Sequence, residues 1–409
     1  MDTKDNIQKV ILKLLATWAL LYCFLVSISL MEGAFRLFGE GFAERLFAFA
    51  SNKFVGLFIG TLTTALVQSS SCTTSLVVGL VGGGVLDIGL AIPIIMGANV
   101  GTTITNTLVA HGHVTRRDEF RRATEAATVH DMFNVLTVLT LFPLELMFGF
   151  IEKSARAATD VFGGLGGATF GSPVKAAVAP ASRLLGDLIK TLVPAYPALQ
   201  GAVVLVLGLI ILFSSLTFLV KVLKSLVLTR LERFFGTFIF RNAAVGLLVG
   251  LSITSLVQSS SVSTSLVVPM VAAGILSLEQ IFPYTLGANL GTTVTAILAS
   301  LATVSVGNLN GVTIAFAHLL FNIFGIVIYY PLRFVPIGLA RELGRNVARN
   351  RLLLFLYVII VFFYIPGVCI YLSEFGLTPV AIALLALLPI IITVFRLVSK
   401  FIEERRRAL

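Results

Sequence analysis

One stretch of this chain occurs twice. Residues 52–108 and 242–298 align without a gap at an offset of 190, and 29 of the 57 aligned positions are identical. Both copies read Leu-Val-Gln-Ser-Ser-Ser, then Thr-Ser-Leu-Val-Val, then Gly-Ala-Asn-x-Gly-Thr-Thr-x-Thr. The chain therefore contains an internal repeat, and its fold has to place two related units side by side.

Composition indicates that these units lie in a membrane. Hydrophobic residues make up 57% of the 409 residues and charged residues only 12%. Apolar runs such as 203–220, 352–372 and 379–395 have the length of a membrane span, since about 20 helical residues cross the hydrocarbon. The first run, 10–31, has no small-residue cleavage site, so we interpret it as a retained helix rather than a signal peptide. We predict an all-α polytopic membrane protein.

Basic residues are distributed as in a membrane protein with a fixed orientation. The formal net charge is +10, but most Lys and Arg residues lie in short segments between apolar runs, where they favour the cytoplasmic side. We therefore expect no nucleic-acid partner. We expect a multi-pass protein of the cell (inner or plasma) membrane, embedded in the lipid bilayer with both termini in the cytoplasm.

This orientation requires the apolar stretches around each Gln-Ser-Ser-Ser word to enter and leave the membrane on the same side. The two arms of the first copy, 54–67 and 72–86, are each roughly 22 Å long as helices, which is too short to span comfortably. We predict about eight spanning helices plus two re-entrant helical hairpins with Gln-Ser-Ser-Ser tips, arranged as two inverted repeats. The predicted segments are an N-terminal helix and linker (1–52), repeat 1 (53–150), an external amphipathic segment (151–196), a connecting helix (197–240), repeat 2 (241–335), and two C-terminal helices with a basic tail (336–409).

The repeated polar residues indicate a binding site. Non-helical backbone at this depth is tolerated where it lines a cavity, and the helix that starts after each tip directs free N–H groups and the positive end of its dipole into the site. Such a tip binds an anion without a fixed positive charge. The same hydroxyls and amide oxygens are also hard ligands for an alkali cation, so anion and sodium neutralise each other. The residues expected to bind the anion are Ser69, Ser70, Ser71, Ser259, Ser260, Ser261, Asn99 and Thr102.

A second repeated pattern lies downstream, where a His precedes an Asn by four residues: His130 with Asn134, and His318 with Asn322. Residues at this spacing share one face of a helix. A zinc site is an alternative, but no Cys or carboxylate stands at ligand spacing in both copies. We expect each His to bond a backbone carbonyl in a helix interface.

Asp131 is the acidic residue beside this face. Its counterpart in the second copy is Leu319. An ionisable residue in an otherwise apolar helix is a functional candidate by default, and we expect Asp131 to be a cation ligand or a coupling charge rather than a structural ion pair.

The motifs resemble the type II sodium-phosphate cotransporter family. That family shows paired Gln-Ser-Ser-Ser hairpins, a stretch like IPIIMGANVGTTITNT at 92–107, and one like FRRATEAATVHDMFN at 120–134. The resemblance covers roughly 53–150 and 241–371. It implies sodium-driven uptake of inorganic phosphate, with sodium co-transported, no organic cofactor, and a transport domain beside a scaffold that forms a homodimer in many members.

The resemblance also implies roles for individual residues. In that family the Asp that matches Asp131 marks electrogenic members. A Ser is typical where this chain has Ala98 and Ala288, so a backbone carbonyl would have to serve there. The residues expected to bind sodium, including the partners of family ligands in the other repeat, are Gln68, Asp131, Asn134, Gln258, Ser259, Asn289, Thr292, Thr293 and Asn322.

Two alternatives stay open. A sodium-coupled transporter of another oxyanion, such as arsenate or sulfate, would use the same residues, and so would an anion channel. Neither a nucleophile with a base nor a pair of carboxylates is visible, so we expect no enzyme.

Overall fold

The computed structural model describes residues 3–38, 52–163, 173–193, 196–231, 242–304 and 308–385. Helices account for nearly all of these residues, and seven of them are long and apolar enough to cross a membrane. The prediction of an all-α, multi-pass membrane protein is confirmed. The eighth predicted span, 379–395, lies mostly outside the described residues, which end at 385.

Both repeats have the same order of helices. Helix α1 (Thr3–Phe38) precedes repeat 1, which consists of α2 (Lys53–Val67), α3 (Ser70–Gly82), α4 (Ile88–His111) and α5 (Arg117–Phe148). Three helices connect the repeats: α6 (Phe150–Phe162), α7 (Pro173–Leu192) and α8 (Pro197–Leu231). Repeat 2 consists of α9 (Ala243–Val257), α10 (Ser260–Ala272), α11 (Leu278–Thr303) and α12 (Asn310–Tyr329), and is followed by α13 (Phe334–Arg349) and α14 (Leu352–Glu374).

Each Gln-Ser-Ser-Ser word forms the tip of a helical hairpin. Gln68 and Gln258 adopt the left-handed conformation, with φ of 56° and 58°, and they are the non-glycine residues with positive φ in the described ranges. Ser69 and Ser259 then cap the second arm, because their side chains accept from the N–H groups of Cys72 and Val262. The first arms have 15 residues each, or roughly 22 Å. This length fits the re-entrant hairpins predicted from the sequence.

The first arm of each hairpin packs closely on the next helix of its own repeat. Helix α2 lies against α4, and α9 lies against α11. A Cβ atom at Gly97 would lie 1.9 Å from the carbonyl oxygen of Leu57, and one at Gly287 would lie 1.9 Å from that of Leu247. Only glycine permits such an approach of two helix backbones. The same contact therefore occurs once in each repeat.

The second arm of each hairpin crosses to the other repeat. Helix α3 packs against α11 and α12, whereas α10 packs against α5 and the last turns of α4. The buried residues of the two repeats consequently form shared clusters. The two tips lie where the second arms cross to the opposite repeat. A binding site between two repeats requires this arrangement.

The remaining helices lie around this centre. Helices α1, α7 and α8 pack on one another and bury a separate apolar cluster. Helix α14 packs against α2 and the end of α4. Five residues of α14, Ile360–Tyr364, are wound as a π-helix.

Candidate functional site

The two hairpin tips are in direct contact. Ser71 at the first tip donates from its hydroxyl to the backbone oxygen of Gln258 at the second tip, at 3.1 Å. The same hydroxyl lies 3.5 Å from the hydroxyl of Thr295 on α11. Residues 187 positions apart are thereby joined, and the two Gln-Ser-Ser-Ser tips singled out in the sequence contact each other.

The second tip contacts α4 where the backbone hydrogen bonds of that helix tighten. Thr102 and Thr103 keep helical dihedral angles, but the N–H of Thr103 donates to the oxygen of Val100, three residues earlier. Ser261 donates to the backbone oxygen of Thr102, at 3.3 Å. One turn further along, Thr264 donates to the side-chain oxygen of Asn106, at 2.9 Å. Buried polar groups on α4 thus find donors on the second tip.

The two tip glutamines have different surroundings. Gln258 is buried, and its side-chain oxygen accepts from the hydroxyl of Thr295 at 2.7 Å. Gln68 is exposed. The residue equivalent to Thr295 in repeat 1 is Thr105, and its buried hydroxyl oxygen has no hydrogen-bond partner in the part of the chain that the structure describes. The glutamine–threonine bond is thus formed in repeat 2 only.

Four asparagines form a buried amide cluster between the repeats. Asn289 donates to the side-chain oxygens of Asn134 and Asn322, at 2.8 and 2.7 Å. Asn134 donates in turn to the backbone oxygen of Asn99, at 2.8 Å. Three of these residues, Asn134, Asn289 and Asn322, were expected to bind sodium. Asn99, expected to bind the anion, lies with them, one turn of α4 away from Thr102.

The histidines on this face do not bond backbone carbonyls, so that expectation is wrong. His318 places its Nε2 atom 3.3 Å from the side-chain oxygen of Asn99. Both ring nitrogens of the buried His130 have no geometric hydrogen-bond partner among the described residues. For His318, an amide of the asparagine cluster takes the place of the expected backbone carbonyl.

Asp131 is completely buried on α5. Its Oδ2 atom accepts from the hydroxyls of Thr107 and Tyr357, both at 3.2 Å. Its Oδ1 atom has no hydrogen-bond partner within the described ranges, and Thr103 lies close enough to stabilise the carboxylate charge. One oxygen of the carboxylate thus accepts two hydrogen bonds, and the other accepts none from the described residues.

The remaining predicted residues are distributed as follows. Ser70 and Ser260 are buried at the first positions of the second arms, behind the capping residues Ser69 and Ser259. The hydroxyls of Thr102 and Thr292 each donate to the carbonyl four residues earlier, which belongs to Ala98 and Ala288. Thr293 donates to the oxygen of Leu290.

Five residues of the site were missed by the sequence reading: Thr103, Thr105, Thr107, Thr295 and Tyr357. Four of them lie in the Gly-Thr-Thr-x-Thr segments or one turn after, where the repeated threonines were a usable signal. Tyr357 lies outside both repeats, in an apolar run without any distinguishing motif.

The site contains little fixed charge. Asp131, Glu125 and Glu145 are the buried acidic side chains among the described residues, and no Lys or Arg is buried with them. Glu125 pairs with Arg121, and Glu145 lies 3.4 Å from Lys53, so both have partners near the helix ends. The tips themselves consist of hydroxyls, amides and backbone groups. Within the described ranges no group of three His, Cys, Asp or Glu residues could hold a metal ion.

Comparison with known proteins gives a consistent result. The model of a family described as Na+/Pi-cotransporter matches residues 23–172 and 210–340. The chain is 35% identical to the sodium-dependent phosphate transport protein 2A of Ovis aries, over 90% of this chain and 68% of the relative. It is 34% identical to the sodium-dependent phosphate transport protein 2B of Homo sapiens, over 92% of this chain and 67% of the relative. No solved structure matches the chain.

Proposed function

The chain belongs to the Na+/Pi-cotransporter family, and on that premise we propose that it imports inorganic phosphate together with sodium across the cell membrane. Transport follows alternating access, with phosphate and sodium bound between the two hairpin tips near the middle of the membrane. The proposal rests most directly on the contact of Ser71 with Gln258, which joins the tips of two repeats.

Phosphate binds to the helix starts at the two tips. The first N–H groups of α3 and α10 have no intrahelical partner and lie at the positive end of the helix dipole. Hydroxyls of Ser70 and Ser260 add donors beside them. No buried Lys or Arg in the described ranges neutralises the anion, so sodium has to enter with it. An anion held only by neutral donors is also released more easily than one held by a fixed cation.

Sodium is bound by oxygen atoms on both sides of the tips. One group of oxygen ligands comes from Gln258, Ser259 and the threonines of α11, including Thr292. A second group comes from the amide cluster, through Asn134, Asn289 and Asn322. Asp131 supplies the one carboxylate. Divalent phosphate with three sodium ions carries one net positive charge inward, whereas with two it carries none. We propose that transport is electrogenic and that Asp131 holds the additional ion.

Radiolabelled phosphate uptake into proteoliposomes tests this function. Uptake should be saturable, should require an inward sodium gradient, and should accelerate when valinomycin and potassium impose an inside-negative potential. Asp131→Gly should still transport phosphate but should ignore the imposed potential. Uptake that is unaffected by replacing sodium with choline would contradict the proposal.

Two other functions are separated by the same assay. A transporter of another oxyanion would show stronger competition from unlabelled arsenate or sulfate than from unlabelled phosphate. An anion channel would show uptake that does not saturate and that has no fixed ratio of sodium to phosphate.

We propose that both termini lie in the cytoplasm, with α7 outside the cell and α13 inside. We also propose that the protein forms a homodimer and that it has no enzymatic activity. A cysteine at Lys190, which is exposed on α7, should react with an impermeant external thiol reagent in intact cells. A cysteine at Arg345, exposed on α13, should not. The opposite pattern would reverse the orientation.

A further inference from the structure

Asp131 is held by a residue that belongs to neither repeat. The hydroxyl of Tyr357, on α14, donates to Asp131 Oδ2 at 3.2 Å. The hydroxyl of Thr107 donates to the same atom at the same distance. Two donors on one carboxylate oxygen fix the orientation of the whole group, and the second oxygen, Oδ1, is left without a hydrogen bond among the described residues.

The backbone of α14 becomes irregular just after Tyr357. Tyr357 lies in the regular α-helical segment Leu352–Ile359, and the π-helix Ile360–Tyr364 begins three residues later. Such π-bulges inside α-helices are frequent at functional sites. The ring of Tyr357 packs edge-on against Phe362 within the π-helix, with 6.1 Å between ring centroids. The irregular segment therefore supplies a ring contact that holds the tyrosine in place.

This contact occurs in one repeat only. Asp131 corresponds to Leu319, and Thr107 corresponds to Ile297. Neither hydrogen bond can exist in repeat 2, so the hydroxyl of Tyr357 has an acceptor in repeat 1 and no equivalent acceptor in repeat 2. A packing contact would need no hydroxyl there, because the positions around Tyr357 are apolar.

We propose that Tyr357 is a positioning residue for the cation held by Asp131. It orients the carboxylate so that Oδ1 faces the ion, and it brings α14, outside the repeats, into the sodium site. The inference rests on the proposed function, because it takes sodium as the ion at Asp131.

The test is Tyr357→Phe, which removes the hydroxyl and keeps the ring against Phe362. We expect the sodium concentration for half-maximal uptake to rise about tenfold, since a hydrogen bond to a charged group contributes on that scale. The half-saturating phosphate concentration at saturating sodium and the maximal rate should stay close to the wild-type values. Thr107→Val should act in the same direction.

The matched control is Tyr364→Phe, because Tyr364 lies on the same helix and is 65% exposed. It should leave the sodium dependence unchanged. In an Asp131→Gly background, Tyr357→Phe should have no further effect on sodium dependence, because the tyrosine acts through the carboxylate. An equal effect in both backgrounds, or a lower maximal rate with unchanged sodium dependence, would overturn the inference.

A binding measurement separates this inference from the proposed function. The thermal midpoint of the purified protein, titrated with sodium chloride against choline chloride in the absence of phosphate, reports cation binding directly. Tyr357→Phe should need about tenfold more sodium for the same stabilisation. Sodium stabilisation of the wild type without sodium-driven phosphate uptake would contradict the proposed function alone, and the tyrosine comparison would still decide this inference.

Discussion

The two repeats have different local structures around residues that are identical in their sequences. In repeat 1, the backbone hydrogen bonds of α4 tighten at Thr103, and the tip residue Gln68 is exposed. In repeat 2, α11 continues without interruption through the same Gly-Thr-Thr segment, and Gln258 is buried against Thr295. Identical residues therefore have different surroundings in the two repeats.

A duplicated sequence can thus keep the shape of its turns and still differ in its side-chain contacts. Gln68 and Gln258 have the same left-handed backbone, with φ of 56° and 58°, yet of the two only Gln258 is bonded to a threonine of the helix that follows its hairpin. The hydroxyl of Thr105, the residue equivalent to that threonine, has no hydrogen-bond partner among the described residues. The backbone of each tip therefore follows from the repeated sequence, whereas the burial of each glutamine does not.

The largest expected effect concerns the glycines that the two repeats share. Gly97→Ala and Gly287→Ala would each place a Cβ atom 1.9 Å from a backbone oxygen of the neighbouring arm. Because backbone cannot move aside as a side chain can, we expect each change to cost more than about 3 kcal/mol. Thermal unfolding in detergent and the yield of monodisperse protein measure this. Gly338→Ala, with no atom within 4 Å of its Cβ position, is the control. A stable variant at only one of the two positions would show that the repeats are not packed alike.

A smaller, unequal effect is expected at the tip glutamines. Gln258→Ala removes a buried partner of Thr295, and we expect a loss of about 1–3 kcal/mol in the free energy of unfolding. Gln68→Ala removes an exposed side chain and should change stability by less than about 0.5 kcal/mol. Both variants should lose most sodium-driven uptake, because both tips enclose one site. Equal unfolding free energies of the two variants would show that Gln258 is no better bonded in the protein than Gln68.

The smallest effects are expected at the two threonines. Thr295→Val leaves the oxygen of Gln258 without its donor and should cost about 1 kcal/mol. Thr105→Val replaces a hydroxyl that has no partner in this conformation, so its effect on the unfolding free energy should be within about 0.5 kcal/mol of zero. Denaturation of both variants under one condition measures the pair. A cost at Thr105 equal to that at Thr295 would mean that Thr105 is bonded in the resting protein.

Much of the fold could be predicted from the sequence. The spans follow from the length of the apolar runs, and the hairpins follow from arms that are too short to cross. The repeated Gln-Ser-Ser-Ser word identified both tips, and the contact of Ser71 with Gln258 unites them. These features depend on local pattern and on duplication, which a single sequence displays. The segment boundaries and the ligand roles remain predictions.

Other features could not be predicted for physical reasons. Gln68 and Gln258 stand in the same Leu-Val-Gln-Ser-Ser-Ser sequence, yet one is exposed and the other buried, so local sequence does not decide the burial of the tip glutamine. The approach of Tyr357 to Asp131 joins residues 226 positions apart, and the tyrosine lies in a run whose other residues are apolar. His318 contacts Asn99 because two repeats meet there, which the periodicity of one helix does not reveal.

The glycine contacts described above also have a mechanical meaning. Helices whose backbones touch at Gly97 and Gly287 cannot slide past or tilt against each other without a steric clash, so we expect each first arm and its neighbouring helix to move as one rigid pair. The second arms pack on the opposite repeat through apolar side chains and hydrogen bonds. Any movement of one repeat relative to the other would therefore have to change the contacts of the second arms.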